Sequence, residues 1–224
     1  MGTAGRKKNP TKTTATRNKF LEKSYELFST KTIEAVTMSE IASACAYNDM
    51  TLYRYFPSKP ILVVAVATWI WDQTIQANRE HRPSRDFEGM TAYEILDFFL
   101  ESFIELYRNK KDLLRFNQFF NIYIQSENID PEVMKPYRDI IEGLKTGFHV
   151  IYTRAEQDLT VRTDETEEEM FSTMLHLMLA AVTRYAIGLV YIPEGGFDAE
   201  KELRTQKNAI LKEYSSLNGS VDEE

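Results

Sequence analysis

Between Thr37 and Phe56 the chain reads TMSEIASACAYNDMTLYRYF, and its reactive side chains there are hydrogen-bonding groups, not nucleophiles or paired acids and bases. Asn48, Asp49, Thr51 and Arg54 bring an amide, a carboxylate, a hydroxyl and a guanidinium into seven positions. A helix over this stretch turns Leu52 and Phe56, spaced i, i+4, towards a core. That leaves Asn48, Asp49, Thr51 and Arg54 outward, with Tyr53 and Tyr55 at the edges. A short helix with a polar outer face, held by a second short helix, is the helix-turn-helix arrangement that fits the DNA major groove.

The elements that must hold this face can be read on either side of it. Thr37 stands three residues before Glu40, the spacing of a capping box that satisfies two orphan N–H groups at a helix start. Ile41, Ala42 and Cys45 form the small inward face of that helix, which is too short to stand alone and has to pack. Ala46 and Tyr47 make the turn, and Asn48 caps the next helix. Phe20, Leu21, Tyr25, Leu27 and Phe28 mark an earlier helix over about Thr13–Ser29. Pro57 stops the outward helix, Ser58 caps the following one, and Pro60 is tolerated in its first turn.

Charge divides the chain in the same place. Residues 1–60 hold ten Lys/Arg against five Asp/Glu, a balance of +5, whereas the whole chain is −7 and residues 61–224 therefore carry −12. A basic end on an acidic protein suits a polyanion, with an affinity that falls steeply with salt.

Composition narrows the class. Nine glycines and seven prolines in 224 residues fall well under the average share of roughly 12 %, and the prolines leave long windows without a helix breaker. An all-α chain follows. One cysteine, Cys45, excludes an internal disulfide and fits a reducing compartment. No charge-free apolar run reaches the roughly 20 residues of a membrane span, and no export signal is visible. A soluble, cytoplasmic protein is expected.

The run T-M-S-E-I-A followed by T-L-Y-R-Y-F-P-S-K-P-I-L resembles the amino-terminal domain of the TetR family of transcriptional regulators, over roughly residues 14–75. The resemblance implies roles by position. Thr37, Ser39, Tyr53 and Lys59 would hydrogen-bond phosphates, contacts that set register without reading sequence. Base reading would fall to Asn48, Asp49, Thr51 and Arg54, with Arg preferring guanine and Asn adenine. Two positions depart from the family pattern. Ala46 stands where glycine is usual and either adopts a left-handed conformation or sits in a turn built differently. Met50 stands where a small residue is common; packing is the favoured reading, contact with a thymine methyl the other.

Further helices are expected over Ser58–Arg79, Ala92–Tyr107, about 110–125, 130–158, 164–191 and 198–216. The helix over 164–191 is apolar almost all round, which predicts burial on both sides. By resemblance, one of its sides would face a ligand chamber and another a twin subunit, in a homodimer formed through the last two helices. The aromatic middle helices supply a small-molecule chamber candidate made of Phe99, Phe103, Phe120, Tyr123, Phe148, Tyr152, Met178 and Arg184. A charge such as Arg184 on an apolar helix calls for a partner, either a protein carboxylate or an anionic effector.

The expected organisation is a basic arm at 1–11, a three-helix DNA-binding domain at 12–57 with its motif at 37–56, a larger helical bundle for effector binding and dimerisation at 58–218, and a tail at 219–224. Three histidines, no Glu-x-x-His pair and no phosphate-binding glycine loop argue against an enzyme, a cofactor or a metal site. The expected function is a repressor that leaves a palindromic operator in double-stranded DNA when a small-molecule effector binds. The alternative is a helical small-molecule sensor or carrier whose first helices make protein contacts.

Overall fold

The computed structural model describes residues 10–81, 87–189 and 191–216. All but the end of the expected arm, and the whole of the expected tail, lie outside the described residues. Among the described residues the chain is all-α, with α1 (Pro10–Thr30), α2 (Met38–Ala44), α3 (Asp49–Tyr55), α4 (Lys59–His81), α5 (Ala92–Asn109), α6 (Lys111–Ser126), α7 (Pro131–Asp158), α8 (Glu167–Ile187) and α9 (Ala199–Tyr214).

The chain forms two compact units, and they do not divide where the sequence reading put the boundary. The first holds the described residues up to Ile75 together with Phe116–Tyr137; the second holds Gln76–Arg115 together with the described residues from Arg138 on. The expected cut at 57/58 does not coincide with this division, for a reason visible in the first unit. The Phe116 ring of α6 lies 5.6 Å from Tyr25 and 6.5 Å from Phe28, so α6 beyond Arg115 completes the core around α1. Phe20, Phe28, Ile41, Leu52, Phe56, Leu62 and Phe120 are fully or almost fully buried in that unit. Each such side chain contributes about 1.5–3 kcal/mol on leaving water.

In the second unit, α5, α7, α8 and α9 bury Leu96, Leu100, Ile104, Phe148, Met174, Met178, Val182, Leu203 and Leu211 around one core. Reciprocal capping boxes start α5 (Thr91 with Glu94) and α8 (Thr166 with Glu169), which fixes the start of α8 at Glu167 rather than at the expected 164. Asp158 adds to the α5 cap by accepting from the Ala92 N–H at 2.7 Å.

By length and composition α8 alone, among the described residues, is long and apolar enough to cross a membrane, with a mean hydropathy of 1.3 in its most apolar window, 39 % of which is buried. The expectation that both its sides are buried is not met within one chain. Met170, Met174, Met178 and Val182 fill the core, while Leu177 is 54 % and Ile187 41 % exposed on the far side.

Candidate nucleic-acid interface

The helix-turn-helix is built from backbone outward. The Thr37 side chain accepts the Glu40 N–H at 3.1 Å and so caps α2. The expected capping box is only half formed, because the Glu40 carboxylate turns instead to Lys31 at 2.6 Å. That hydrogen bond to Lys31 holds the Glu40 carboxyl below its ordinary range.

Helix α2 ends in the pair of hydrogen bonds that defines a Schellman motif. The Tyr47 N–H reaches the Ala42 carbonyl and the Ala46 N–H the Ser43 carbonyl, each at 2.9 Å. This places Ala46 in the left-handed region with φ 59°. Of the two readings open for this turn, the strained one holds, at about 1 kcal/mol for a residue with a Cβ. The Ile41, Ala42 and Cys45 face packs fully buried, and the Cys45 thiol donates to the Lys19 carbonyl of α1 at 3.6 Å.

On α3, Leu52 and Phe56 point inward as expected, at 0 % and 2 % exposure. The polar residues around them are less free than their types suggested. Asn48 caps the helix: its side-chain oxygen accepts from the Thr51 N–H at 2.9 Å and from the Thr51 hydroxyl at 2.8 Å. Asp49 turns back towards α2 and accepts from the Ser39 hydroxyl. The Ser39 proton expected on a phosphate is thus already given to a carboxylate.

Three side chains remain prominent. Met50 is 82 % exposed, so the favoured packing role for it is overturned. Tyr53 is 46 % exposed. Arg54 lies over the Tyr55 ring at 5.6 Å, and Tyr55 itself packs against Phe20 at 5.7 Å as an edge of the core.

Three cations of the same unit rest on supports that leave their charge available. Arg17 lies 5.4 Å over the Phe56 ring and Lys19 5.6 Å over the Tyr47 ring, contacts that orient without neutralising. Lys59 donates to the Glu34 carbonyl at 3.2 Å and stands 5.9 Å over the Tyr123 ring. Partial burial pulls its ammonium below the usual lysine range, opposed by Glu34 and Glu127. Burial, with Glu127 and Glu34 nearby, pushes the Tyr123 hydroxyl up to about 12.

The eight residues offered as one chamber fall into different places. The Phe99 ring centre lies 5.4 Å from those of both Phe103 and Phe148, Phe148 also meets Phe171 at 5.6 Å, and Met178 is buried in the same core. Tyr152 is fastened at the edge, donating its hydroxyl to the Glu165 carbonyl at 3.0 Å. Phe120 and Tyr123 belong to the first compact unit, where Phe120 meets Tyr137 at 4.8 Å. Arg184 stands on the exposed side of α8 and lines an open groove of about 280 Å³ with Tyr191, Pro193 and Phe197. No carboxylate pairs with Arg184 among the described residues. Helical periodicity placed these side chains on apolar faces without saying which core each face would join.

Comparison with known proteins gives the arrangement its context. Residues 20–66 match the family described as bacterial regulatory proteins, tetR family. The HTH-type transcriptional regulator YerO of Bacillus subtilis is 27 % identical over 116 residues, covering 52 % of this chain and 37 % of that protein. The HTH-type transcriptional regulator UidR of Escherichia coli is 29 % identical over 91 residues, covering 41 % of this chain and 42 % of that protein. The matched stretch thus spans about two fifths of these relatives' length.

Solved structures align over most of both chains and support the fold. A transcriptional regulator from Saccharomonospora viridis, in complex with choline, has a TM-score of 0.67 at 16 % identity, covering 89 % of this chain and 96 % of its own. FadR from Bacillus subtilis, in complex with stearoyl-CoA, has 0.63 at 15 % identity, covering 87 % and 97 %. The capped α2, the Schellman turn and the outward α3 all lie inside the residues that match the tetR-family description, so the likeness is carried by the amino-terminal part of this chain.

Proposed function

We propose that this chain is a dimeric, sequence-specific DNA-binding regulator that represses transcription and is released from a palindromic operator by a small-molecule effector. The observation that carries the reading is the α3 face, a short, capped helix projecting side chains outward, in a unit where Arg17, Lys19 and Lys59 are not paired to a carboxylate among the described residues. Tyr53, Lys59 and the Thr37 hydroxyl, which accepts a hydrogen bond but keeps its own proton, supply donors for phosphate. Arg54 is free to reach a base edge.

Dimerisation is supported by the uncovered side of α8, where Leu177, Ala180 and Ile187 lie exposed along one stripe. Two α3 helices related by a two-fold axis would then meet half-sites about 34–36 Å apart or a multiple of that. A small-molecule effector is supported by the aromatic Phe99, Phe103 and Phe148 cluster, and by the choline and stearoyl-CoA held by two structural relatives. Such a ligand shifts DNA occupancy only by its differential affinity for the two states.

The test is selection of preferred sequences from a random DNA pool, followed by fluorescence anisotropy and sedimentation. A single palindromic motif bound by two chains is the expected result. Absence of any preferred sequence at low salt would overturn the reading.

A further inference from the structure

The outward pole of α3 is not where the polar residues are. With about 100° of rotation per residue, the buried pair Leu52 and Phe56 defines one side of the helix, and Met50 and Arg54, spaced i, i+4, share the opposite side. Met50 is 82 % exposed there. Asn48 has its side-chain oxygen engaged twice by Thr51, so it lacks the free acceptor that two-point recognition of adenine requires. Asp49 is held by Ser39 on the α2 side.

An exposed methionine on the same side of α3 as Arg54 has few apolar partners available in a polyanionic groove. Phosphates and sugars offer it nothing better than water. The C5-methyl of thymine is the apolar group that the major groove presents, and the flexible, polarisable thioether adapts readily to such a contact. We infer that Met50 is a specificity-determining residue that reads a thymine methyl in each half-site. This inference rests on the DNA-binding reading above.

The test replaces thymine by uracil, one position at a time, in the selected operator; uracil keeps every hydrogen-bonding group and lacks only the methyl. Losing one buried methyl contact should weaken binding about fourfold per half-site at one position. Met50→Ala should bind the thymine operator about as weakly as the wild type binds the uracil one, and should no longer distinguish thymine from uracil. The substitution sits at a solvent-exposed position, and an unchanged circular dichroism melt would confirm that the fold is kept.

Wild-type protein that tolerates uracil at every position within experimental error would overturn the inference while leaving DNA binding intact. So would a Met50→Ala variant that keeps full discrimination. Failure of the wild type to bind any DNA specifically would overturn the regulator reading and this inference with it.

Discussion

Four cations of the first unit and the ion clusters of the second are held in opposite ways. In the first unit, Arg17, Lys19 and Arg54 rest on aromatic rings and Lys59 on a backbone carbonyl, supports that position a charge but do not cancel it. In the second, Lys207 is clamped by Asp97 at 2.8 Å and Glu101 at 3.0 Å, Arg204 shares Glu101 at 2.9 Å, and Arg108 meets Glu200 at 2.6 Å. Arg162 is surrounded in the same way by Asp164, Glu165 and Glu213. One set keeps its charge uncancelled within the chain; the other ties helices together. Net charge along the sequence hinted at the contrast, but the partners create it.

The largest expected effect comes from salt. If two cations of each subunit in a dimer neutralise phosphates, affinity for the selected operator should fall on the order of a hundredfold between about 50 and 200 mM salt. Anisotropy titrations at several salt concentrations read the slope, and a flat line would erase the functional half of the contrast.

A smaller effect is expected from Lys207, buried between two carboxylates at its ammonium. Burial draws its pKa down, but the hydrogen bonds and charges of Asp97 and Glu101 win and hold it above 10.5. A raised folded-state value means that this contribution to stability is complete below 10.5 and is lost as pH climbs through the folded value. Lys207→Met should cost about 2 kcal/mol near neutral pH, less than a fully buried pair because Asp97 is partly exposed and Glu101 keeps Arg204. The variant should also lose less stability than the wild type above pH 10.5. Urea unfolding across pH measures both, and a neutral variant with an unchanged alkaline slope would show that the ion cluster does not hold the second unit together.

The smallest effect lies in the turn between α2 and α3. Glycine relieves the φ 59° strain at Ala46 but frees the unfolded chain. Ala46→Gly should therefore stabilise by no more than about 0.5 kcal/mol, read as a slightly raised melting temperature. A destabilised variant would mean that the Ala46 methyl contributes packing that outweighs its strain.

Much of the helix-turn-helix was legible in advance because local rules act there. Thr37, Asn48, Leu52 and Phe56 lie within a few residues of the groups that they cap or cover, and capping and helical period do not need the rest of the fold. The misjudged residues are those whose partner sits on another element. Ser39 meets Asp49 across the turn, Glu40 prefers Lys31, and Met50 finds no neighbour to pack against. The proposed chamber shows the same limit at larger scale: Phe120 and Phe148 sit on equally apolar faces, yet they belong to different units.

By itself the amino-acid sequence determined the helical class, the order of the helices, the capped motif between Thr37 and Phe56, and the charge that marks one end. These follow from propensity, period and side-chain chemistry over short distances. Only the tertiary structure decided which cations stay available, which polar side chains satisfy one another, and that a methionine stands at the outermost point of α3. Those outcomes depend on distances between elements far apart in the chain, and packing sets such distances.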